Sequence, residues 1–286
     1  MINAEQIKKK IRDTGFRPRK HLGQNFLVDQ SVFERILSEA DLQPDDHVVE
    51  IGAGLGRLTL RLADTGAQVT AIELDDFLYA ELQSVCFDLP NVVLIHGDIL
   101  KIDLAPFLDP KSAHHNKVVA NLPYYITSPI LMKLLKLSSA IDTCVLMTQK
   151  EVADRIVASP GTKDYGVLTI EIDYYAKAEI IERVSAQCFY PSPEVNSALI
   201  KLTMRDSPKV DVESKELLSK VIRGAFQHRR KTLMNSLTAS KPVPLSKKTW
   251  GNILDELKID RMRRGETLTI SEFAKLTNLI CNGAIC

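Results

Sequence analysis

Cysteine is scarce and unpatterned in this chain of 286 residues. The five cysteines are an odd number and no two stand at a metal-ligand spacing, so the sequence predicts reduced thiols, no metal site and a cytoplasmic location. Long apolar runs are absent too: none approaches the ~20 residues that cross a bilayer, and we expect no secretory signal. These absences argue against disulfide-stapled, metal-binding and membrane-spanning proteins.

A strong charge of one sign is also missing, since the formal net charge is only +1. The distribution is uneven, however. Residues 1–24 carry seven lysines and arginines against two acids. A balanced total with one basic end suits a local anionic partner, and we treat 1–24 as a separate basic segment.

Strand-length apolar runs alternate with helical patterns in the first two thirds of the chain, which predicts an α/β fold with a mostly parallel sheet. After Arg205 only helical periodicity remains, including one long helix over Glu213–Leu237. We therefore predict an α/β domain over 25–205 and a helical domain over 206–286. The predicted strands are His47–Ile51, Gln68–Leu74, Val92–His96, Lys117–Ala120, Thr143–Met147, Glu179–Val184 and Ala198–Met204.

A glycine-rich turn follows the first predicted strand, in the order Gly52-Ala53-Gly54-Leu55-Gly56. Glycine lets the backbone approach a ligand closely, and a nucleotide then sits at the carboxyl edge of the sheet. Glu73 and Asp98 end the next two strands, where they can accept protons from ribose hydroxyls and an adenine amine. The Gly-x-Gly-x-Gly spacing is one residue tighter than the dinucleotide fingerprint, which favours S-adenosylmethionine as the cofactor.

The fourth predicted strand ends in Asn121-Leu122-Pro123-Tyr124. An amine on an aromatic ring becomes a better nucleophile when its nitrogen turns pyramidal, and two hydrogen-bond acceptors favour that geometry. Asn121 Oδ1 and the Leu122 carbonyl can be those acceptors, while Pro123 restrains Leu122 to an extended backbone. Tyr124 can stack on the ring. The tetrapeptide therefore predicts methyl transfer to a planar exocyclic amine.

An ordered set of motifs extends this interpretation to a family. From about residue 17 to about residue 275 the chain resembles the small-subunit ribosomal RNA adenine dimethyltransferases. The motifs that carry the resemblance are Gln24-Asn25-Phe26-Leu27, Glu50–Gly56, Asn121–Tyr125, Gln149-Lys150-Glu151-Val152, Tyr165-Gly166, Phe189–Ser197 and Arg229-Arg230-Lys231-Thr232.

The resemblance implies a seven-stranded class I methyltransferase domain with its last strand antiparallel, followed by a small helical domain. It implies a monomeric enzyme that dimethylates N6 of two adjacent adenosines near the 3′ end of small-subunit rRNA. The substrate would be the partly assembled small subunit, and the enzyme would also check ribosome maturation.

The resemblance also implies roles for individual residues. Phe189 would sandwich the target adenine opposite Tyr124, and the Phe-x-Pro-x-Pro loop that it begins would hold its ring stiffly; a buried core phenylalanine is the other interpretation. The residues expected to contact the cofactor are Asn25, Leu27, Gly52, Gly54, Glu73, Asp98, Ile99 and Asn121.

Basic side chains in the last third of the chain are candidates for RNA contact. On the predicted helix Glu213–Leu237, three cations share one arc, where they can track phosphates; a solvated helix face explains them equally well. Arg229 projects to the apolar side and is expected to pair with an acid. The predicted RNA-binding residues are Arg223, Arg230 and Lys231, and a second basic cluster contains Arg261, Arg263 and Arg264.

Three alternatives remain at this point. A large-subunit rRNA methyltransferase of the macrolide-resistance type would share the fold and the Asn-x-Pro-Tyr site. The segment Gln227–Thr232 and the C-terminal helices favour the small-subunit group. A non-catalytic RNA-binding assembly factor would retain the fold, but Asn121, Pro123 and Tyr124 are all present. A small-molecule amine methyltransferase would have a closed pocket and no basic surface.

Overall fold

The computed structural model describes residues 16–19, 23–108 and 115–283, together with Glu5, Lys9 and Ile11. Of the predicted basic segment, Lys8, Lys10, Arg12 and Lys20 lie outside the described residues. Contacts divide the chain into two compact units, Met1–Ala153 with Lys177–Asp206 and Asp154–Ala176 with Ser207–Cys286. Over the described ranges, no helix has both the length and the apolar character that a membrane span requires.

The first unit is built on a seven-stranded sheet. The strands described in the chain, which include two outside this sheet, are β1 (Phe26–Leu27), β2 (His47–Ile51), β3 (Gln68–Glu73), β4 (Val92–His96), β5 (Asn116–Asn121), β6 (Thr143–Gln149), β7 (Ala176–Val184), β8 (Phe189–Tyr190) and β9 (Ser197–Met204). The sheet order is β4-β3-β2-β5-β6-β9-β7, and β1 pairs separately with β8. Strands β2 to β6 pair in parallel and β9 runs antiparallel to β6. The predicted class I methyltransferase fold, with one antiparallel strand, is confirmed.

Helices of the first unit pack an apolar face onto this sheet. They are α1 (Gln30–Ala40), α2 (Arg57–Ala63), α3 (Asp76–Val85), α4 (Thr127–Leu135) and α5 (Lys150–Ile156), which continues into the second unit. Asp29 and Asp75 cap α1 and α3, because each side chain accepts two backbone amides of the first turn. Phe33 of α1 is buried in one core with Val119 and Val145 of the strands. The parallel order places the carboxyl ends of β2, β3, β4 and β5 along one edge.

The second unit is helical. Its helices are α6 (Val167–Tyr175), α7 (Lys215–Gln227), α8 (Leu233–Ser240), α9 (Lys247–Glu256) and α10 (Ile270–Gly283). The unit also contains Asp154–Ala176, which the sequence analysis assigned to the larger domain. Tyr165 and Ile170 are buried in one core with Trp250 and Phe273, so this stretch packs with the C-terminal helices. Periodicity identifies an amphipathic stretch, but it does not tell which core the stretch joins.

The prediction of a single helix over Glu213–Leu237 is wrong, because the helix is interrupted between α7 and α8. Lys231 N–H donates to the His228 carbonyl at 2.8 Å, closing a turn, and α8 packs back against α7. Gly224 permits this close approach, since a Cβ there would lie 2.8 Å from Ser240 Oγ. A straight helix of that length would span about 37 Å and could not bury both halves in one small core.

Candidate active site

The glycine turn between β2 and α2 keeps open the carboxyl edge of the sheet. Gly52 and Gly54 have φ of 74° and 60°, in the left-handed region that favours glycine. A Cβ on Gly54 would lie 3.4 Å from the Phe26 ring, and a Cβ on Gly52 would lie 3.7 Å from the Pro123 ring. Side chains here would strain the turn and fill the space beside it, so these two positions form a cradle for a ligand.

A cavity of about 1010 Å³, counting the space at its open mouth, lies at this edge. The cavity brings together all eight residues predicted to contact the cofactor, and Pro123 lines it as well. Leu122, Tyr124 and Phe189 are not among the lining residues. The residues predicted to contact the cofactor therefore line the cavity, whereas Leu122, Tyr124 and Phe189, predicted to hold the target base, do not.

Glu73 is the most firmly held polar group of the cavity. Its Oε2 accepts the backbone N–H of Gly54 at 2.8 Å, and its Oε1 accepts those of Leu74 at 2.9 Å and Asp75 at 2.8 Å. Burial raises the pKa of Glu73, and the three backbone donors oppose that rise by stabilising the carboxylate. The carboxylate is thus fixed in position: Oε1 already accepts two donors, and Oε2 keeps a lone pair for a hydroxyl donor.

Asp98 and Ile99 form a second wall after β4. Asp98 Oδ1 accepts the backbone N–H of Leu100 at 2.9 Å, which fixes the side chain of Asp98. Ile99 is buried, and its carbonyl accepts Lys133 Nζ at 2.7 Å. Lys133 of α4 therefore anchors this loop, a role that the sequence analysis missed. An apolar side chain beside a carboxylate acceptor suits a purine ring that carries an amino group.

Asn121 ends β5 with its two amide atoms in different situations. Its Nδ2 donates to the Asn25 carbonyl at 3.0 Å. Its Oδ1 is buried and has no hydrogen-bond partner among the described residues. A buried acceptor without a donor is costly unless a ligand supplies one. Asn121 therefore presents a neutral acceptor at the cavity.

The residues after Asn121 are held by local hydrogen bonds. Leu122 is buried, and its N–H donates to the Met147 carbonyl at 3.1 Å. Pro123 has φ −61° and ψ 122°, and its carbonyl accepts Ile126 N–H at 3.2 Å. Tyr124 Oη hydrogen-bonds Ser197 Oγ at 2.5 Å, and burial raises the pKa of the Tyr124 phenol. The tetrapeptide is therefore rigid before any substrate arrives.

Comparison with known proteins decides the family. A family model described as ribosomal RNA adenine dimethylase matches residues 15–276. The chain belongs to this family. Membership confirms the predicted enzyme class, a methyltransferase that depends on S-adenosylmethionine.

Individual relatives and solved structures show the extent of the similarity. The chain is 45% identical over 278 residues to "Ribosomal RNA small subunit methyltransferase A" of Alkaliphilus metalliredigens, covering 97% of this chain and 96% of that protein. A dimethyladenosine transferase from Plasmodium falciparum matches with a TM-score of 0.77 and 27% identity, covering 91% of this chain and 98% of that one. The 23S rRNA methyltransferase ErmE matches with a TM-score of 0.66 and 27% identity, covering 88% and 98%.

Phe189 of this dimethylase lies in the core. Its side chain is 3% exposed and packs with the apolar residues beneath the sheet edge, and β8 holds it opposite Leu27 of β1. The stacking of a target base between Tyr124 and Phe189 therefore stays a prediction, since the rings have little free surface here. Stacking by Phe189 requires its ring to leave this core position.

Two residues at the cavity were missed by the sequence analysis as functional groups. Tyr125 lines the cavity with 48% of its surface exposed, although the predicted aromatic roles were given to Tyr124 and Phe189. Glu50 also lines it and accepts Thr59 Oγ1 at 2.5 Å. Burial raises the pKa of Glu50 to about 8, and the nearby Glu73 adds to the rise. An acid at the end of an apolar strand, before the glycine turn, was a usable signal for Glu50.

The basic residues of the second unit divide into paired and unpaired groups. Arg229 pairs with Glu266 at 3.1 Å and donates to the Lys163 and Tyr165 carbonyls, as expected for an arginine that faces an acid. Further ion pairs join Arg261 to Asp255, Arg263 to Glu272, Lys209 to Asp173 and Lys215 to Glu171. The exposed cations include Arg223 on α7, Arg230 and Lys231 in the turn before α8, and Arg264. The predicted arc on one helix face does not exist.

Proposed function

We propose that this enzyme transfers two methyl groups from S-adenosylmethionine to N6 of each of two adjacent adenosines near the 3′ end of small-subunit rRNA. The observation that carries the proposal is the buried, unpartnered Oδ1 of Asn121, which stands in the same cavity as Glu73 and Asp98. Support also comes from the relatives, whose printed name is a small-subunit rRNA methyltransferase.

The cavity residues fit S-adenosylmethionine. The glycine cradle leaves room beside the backbone, and the orphaned acceptor of Asn121 invites a donor. We assign the ribose hydroxyls to Glu73 and the adenine amine to Asp98, with Ile99 against the purine ring. The remaining contacts come from Asn25, Leu27, Gly52, Gly54 and Asn121. When bound, the cofactor supplies a methyl group activated by its sulfonium sulfur.

Asn121 and Leu122 activate the target nitrogen. Asn121 Oδ1 and the Leu122 carbonyl accept the two N6 hydrogens, which favours the pyramidal nitrogen of the transition state over the planar ground state. Asn25 fixes the orientation of the Asn121 amide by accepting its Nδ2 hydrogen. These two acceptors hold the amine while the bound cofactor supplies its methyl group to N6. The cationic nitrogen releases its proton to water, so no strong base is required.

The neutral side chain of Asn121 also suits a second methyl transfer. A singly methylated amine must turn so that its remaining hydrogen is held and its lone pair faces the next methyl group. A neutral amide releases the amine more readily than a carboxylate would, because hydrogen bonds to charged acceptors are stronger. We therefore expect Asn121→Asp to slow formation of the dimethylated product.

Aromatic side chains hold the base and basic side chains hold the RNA backbone in this proposal. Tyr124 and Phe189 clamp the adenine ring, and the Ser197 hydroxyl holds the Tyr124 phenol. Arg223, Arg230 and Lys231 contact phosphates, which position the RNA without choosing the base. The partner is the pre-small-subunit particle, and the enzyme acts on it in the cytoplasm as a monomer.

Mass spectrometry of rRNA tests the proposal. Small and large subunits from cells that lack these methylations are incubated separately with the protein and S-adenosylmethionine. We expect two adjacent N6,N6-dimethyladenosines near the 3′ end of the small-subunit rRNA, and no product with Asn121→Ala. Methylation of the large subunit alone would assign the activity to the macrolide-resistance type instead. Binding to small subunits with no methylation at all would indicate a non-catalytic assembly factor.

A further inference from the structure

Asp75 caps the N-terminus of α3 and also contacts two side chains of the N-terminal part of the chain. Its Oδ1 accepts the backbone N–H groups of Phe77 at 3.0 Å and Leu78 at 3.2 Å, as a helix-capping aspartate does. Its Oδ2 accepts Gln24 Nε2 at 3.2 Å and stands 3.3 Å from Arg19 Nη1. The Asp75 side chain is 1% exposed. Both oxygens of a buried carboxylate are therefore used, and one of them holds a segment far away in sequence.

The groups around Asp75 form a chain of contacts that connects Glu73 to Asn121. On one side, the Asp75 N–H donates to Glu73 Oε1 at 2.8 Å. On the other side, Gln24 Oε1 accepts the backbone N–H of Arg19 at 2.7 Å. This bond links the two residues whose side chains contact Asp75. Gln24 precedes Asn25, whose carbonyl accepts Asn121 Nδ2 at 3.0 Å. Asp75 thus lies between the group assigned to the ribose and the group assigned to the target amine.

Apolar contacts also hold Phe16 and Phe26, which flank Arg19 and Gln24 in the sequence. Phe16 stacks on Phe77 of α3 with ring centroids 4.7 Å apart, and it lies 6.4 Å from the Phe26 ring. These rings pack against a small buried cluster that contains Leu55 of the glycine turn and Leu78. Leu55, Leu78 and Phe26 all line the cavity. The segment therefore covers part of the cofactor site, with Asp75 as its polar anchor.

We propose that Asp75 is a positioning residue: through Arg19 and Gln24 it holds residues 16–19 and 23–27 beside the cofactor cavity, and so fixes Asn25 and the Asn121 amide. Asp75 itself touches neither cofactor nor substrate in this proposal. The proposal rests on the roles assigned above to Glu73 and Asn121. It predicts that loosening Asp75 weakens cofactor binding and lowers turnover together.

Asp29 provides a matched control. It caps α1 with nearly the same backbone angles, φ −78° and ψ 125° against −79° and 125° for Asp75. Its Oδ1 likewise accepts two backbone N–H groups, whereas its Oδ2 accepts the Cys188 thiol at 3.7 Å and no other side chain among the described residues. Serine caps helices as well as aspartate does, yet it is too short to reach Arg19 and Gln24. Asp75→Ser and Asp29→Ser therefore retain both caps and differ in the anchor.

Calorimetry with S-adenosylhomocysteine and hydrogen exchange of the segment test the proposal without any RNA. We expect Asp75→Ser to raise the Kd about tenfold and to speed exchange in 16–27, because it removes hydrogen bonds to a buried charge. Asp29→Ser should leave both unchanged, and the Tm values of the two variants should match. Wild-type affinity with wild-type exchange in Asp75→Ser would overturn the proposal.

A second set of variants keeps Asp75 and protects the test against misfolding. Arg19→Met combined with Gln24→Ala removes both anchors and leaves the α3 cap intact. We expect this pair to reproduce the weaker Kd and faster exchange, and Arg19→Lys with Gln24 retained to recover much of the affinity. An Asp75→Ser effect that the pair fails to reproduce would assign Asp75 to helix stability alone. These binding results do not depend on whether the small subunit is the substrate.

Discussion

The cofactor-binding half and the base-binding half of the proposed active site differ in how much they must rearrange before a ligand can bind. The cofactor half is open: all eight predicted contact residues line one cavity, and Glu73 is fixed by three backbone donors. The base-binding half is closed: Leu122 and Phe189 are buried and the Tyr124 hydroxyl is bonded to Ser197. This difference indicates that, in the proposed site, cofactor binding needs little rearrangement, whereas the target base must displace groups that already have partners. Specificity for RNA can therefore depend on that rearrangement.

The largest expected effect comes from Asn121, which stands where the two halves meet. Asn121→Ala removes one of the two acceptors that act in the transition state, so we expect turnover to fall by about 10²–10³-fold. The Kd for S-adenosylhomocysteine should change by less than about tenfold, because most cofactor contacts remain. Single-turnover methylation of small subunits measures the first value and calorimetry the second. Turnover near the wild-type rate would rule out the proposed role of Asn121.

Glu50 tests how the cofactor half tolerates a buried acid. The pKa of Glu50 is about 8 in the folded protein, above the usual value of a glutamate, so the folded state keeps a proton that the unfolded chain loses. The free energy of unfolding should therefore fall as pH rises between 5 and 7, by about 1.4 kcal/mol per unit from this group.

Glu50→Gln provides the comparison, because the amide is neutral at every pH and its oxygen can still accept from Thr59. Urea unfolding at several pH values measures the slopes for both proteins. We expect a flatter profile for the variant in this window. Parallel profiles would mean that Glu50 is ionised in the folded protein near pH 6.

Glu73 tests whether the open half depends on its fixed carboxylate. Glu73→Gln places an amide donor against the backbone donors of Gly54 or of Leu74 and Asp75, so the side chain must turn away from them. We expect the Kd for S-adenosylhomocysteine to rise by about 10- to 100-fold, since hydrogen bonds to a charged group are lost. Calorimetry gives the Kd, and the Tm reports any loss of stability. An unchanged Kd would remove Glu73 from the ribose site.

Phe189 gives the smallest effect and tests the closed half. Phe189→Leu keeps an apolar side chain in the core but removes the aromatic ring. We expect kcat/KM on small subunits to fall about tenfold, because stacking of a base on an aromatic ring is worth roughly 1–3 kcal/mol. Cofactor affinity should not change. Wild-type kcat/KM with this variant would support a purely structural Phe189, and the base half would need another aromatic residue, for which Tyr125 is exposed at the cavity.

Much of the fold was predictable because its signals are local. Glycine spacing, strand-length apolar runs and acids at strand ends each depend on neighbouring residues, and the parallel order then brings the strand ends to one edge. The break between α7 and α8 was not predictable in this way. The helical pattern continues through residues 228–232, and only the packing of α8 back onto α7 at Gly224 imposes the turn.

The sequence by itself determined which chemistry we propose: an S-adenosylmethionine site at the glycine turn, with Glu73 and Asp98 at the strand ends and Asn121 at the predicted reacting centre. Those residue types at those positions carry the same meaning whatever packs around them. Only the tertiary structure decided which groups are free to act. Folding buries Phe189, bonds Tyr124 to Ser197, pairs three arginines with acids and joins Asp75 to Arg19 and Gln24. Partners far apart in sequence leave no periodicity in the chain, so their contacts emerge only when the fold brings them together.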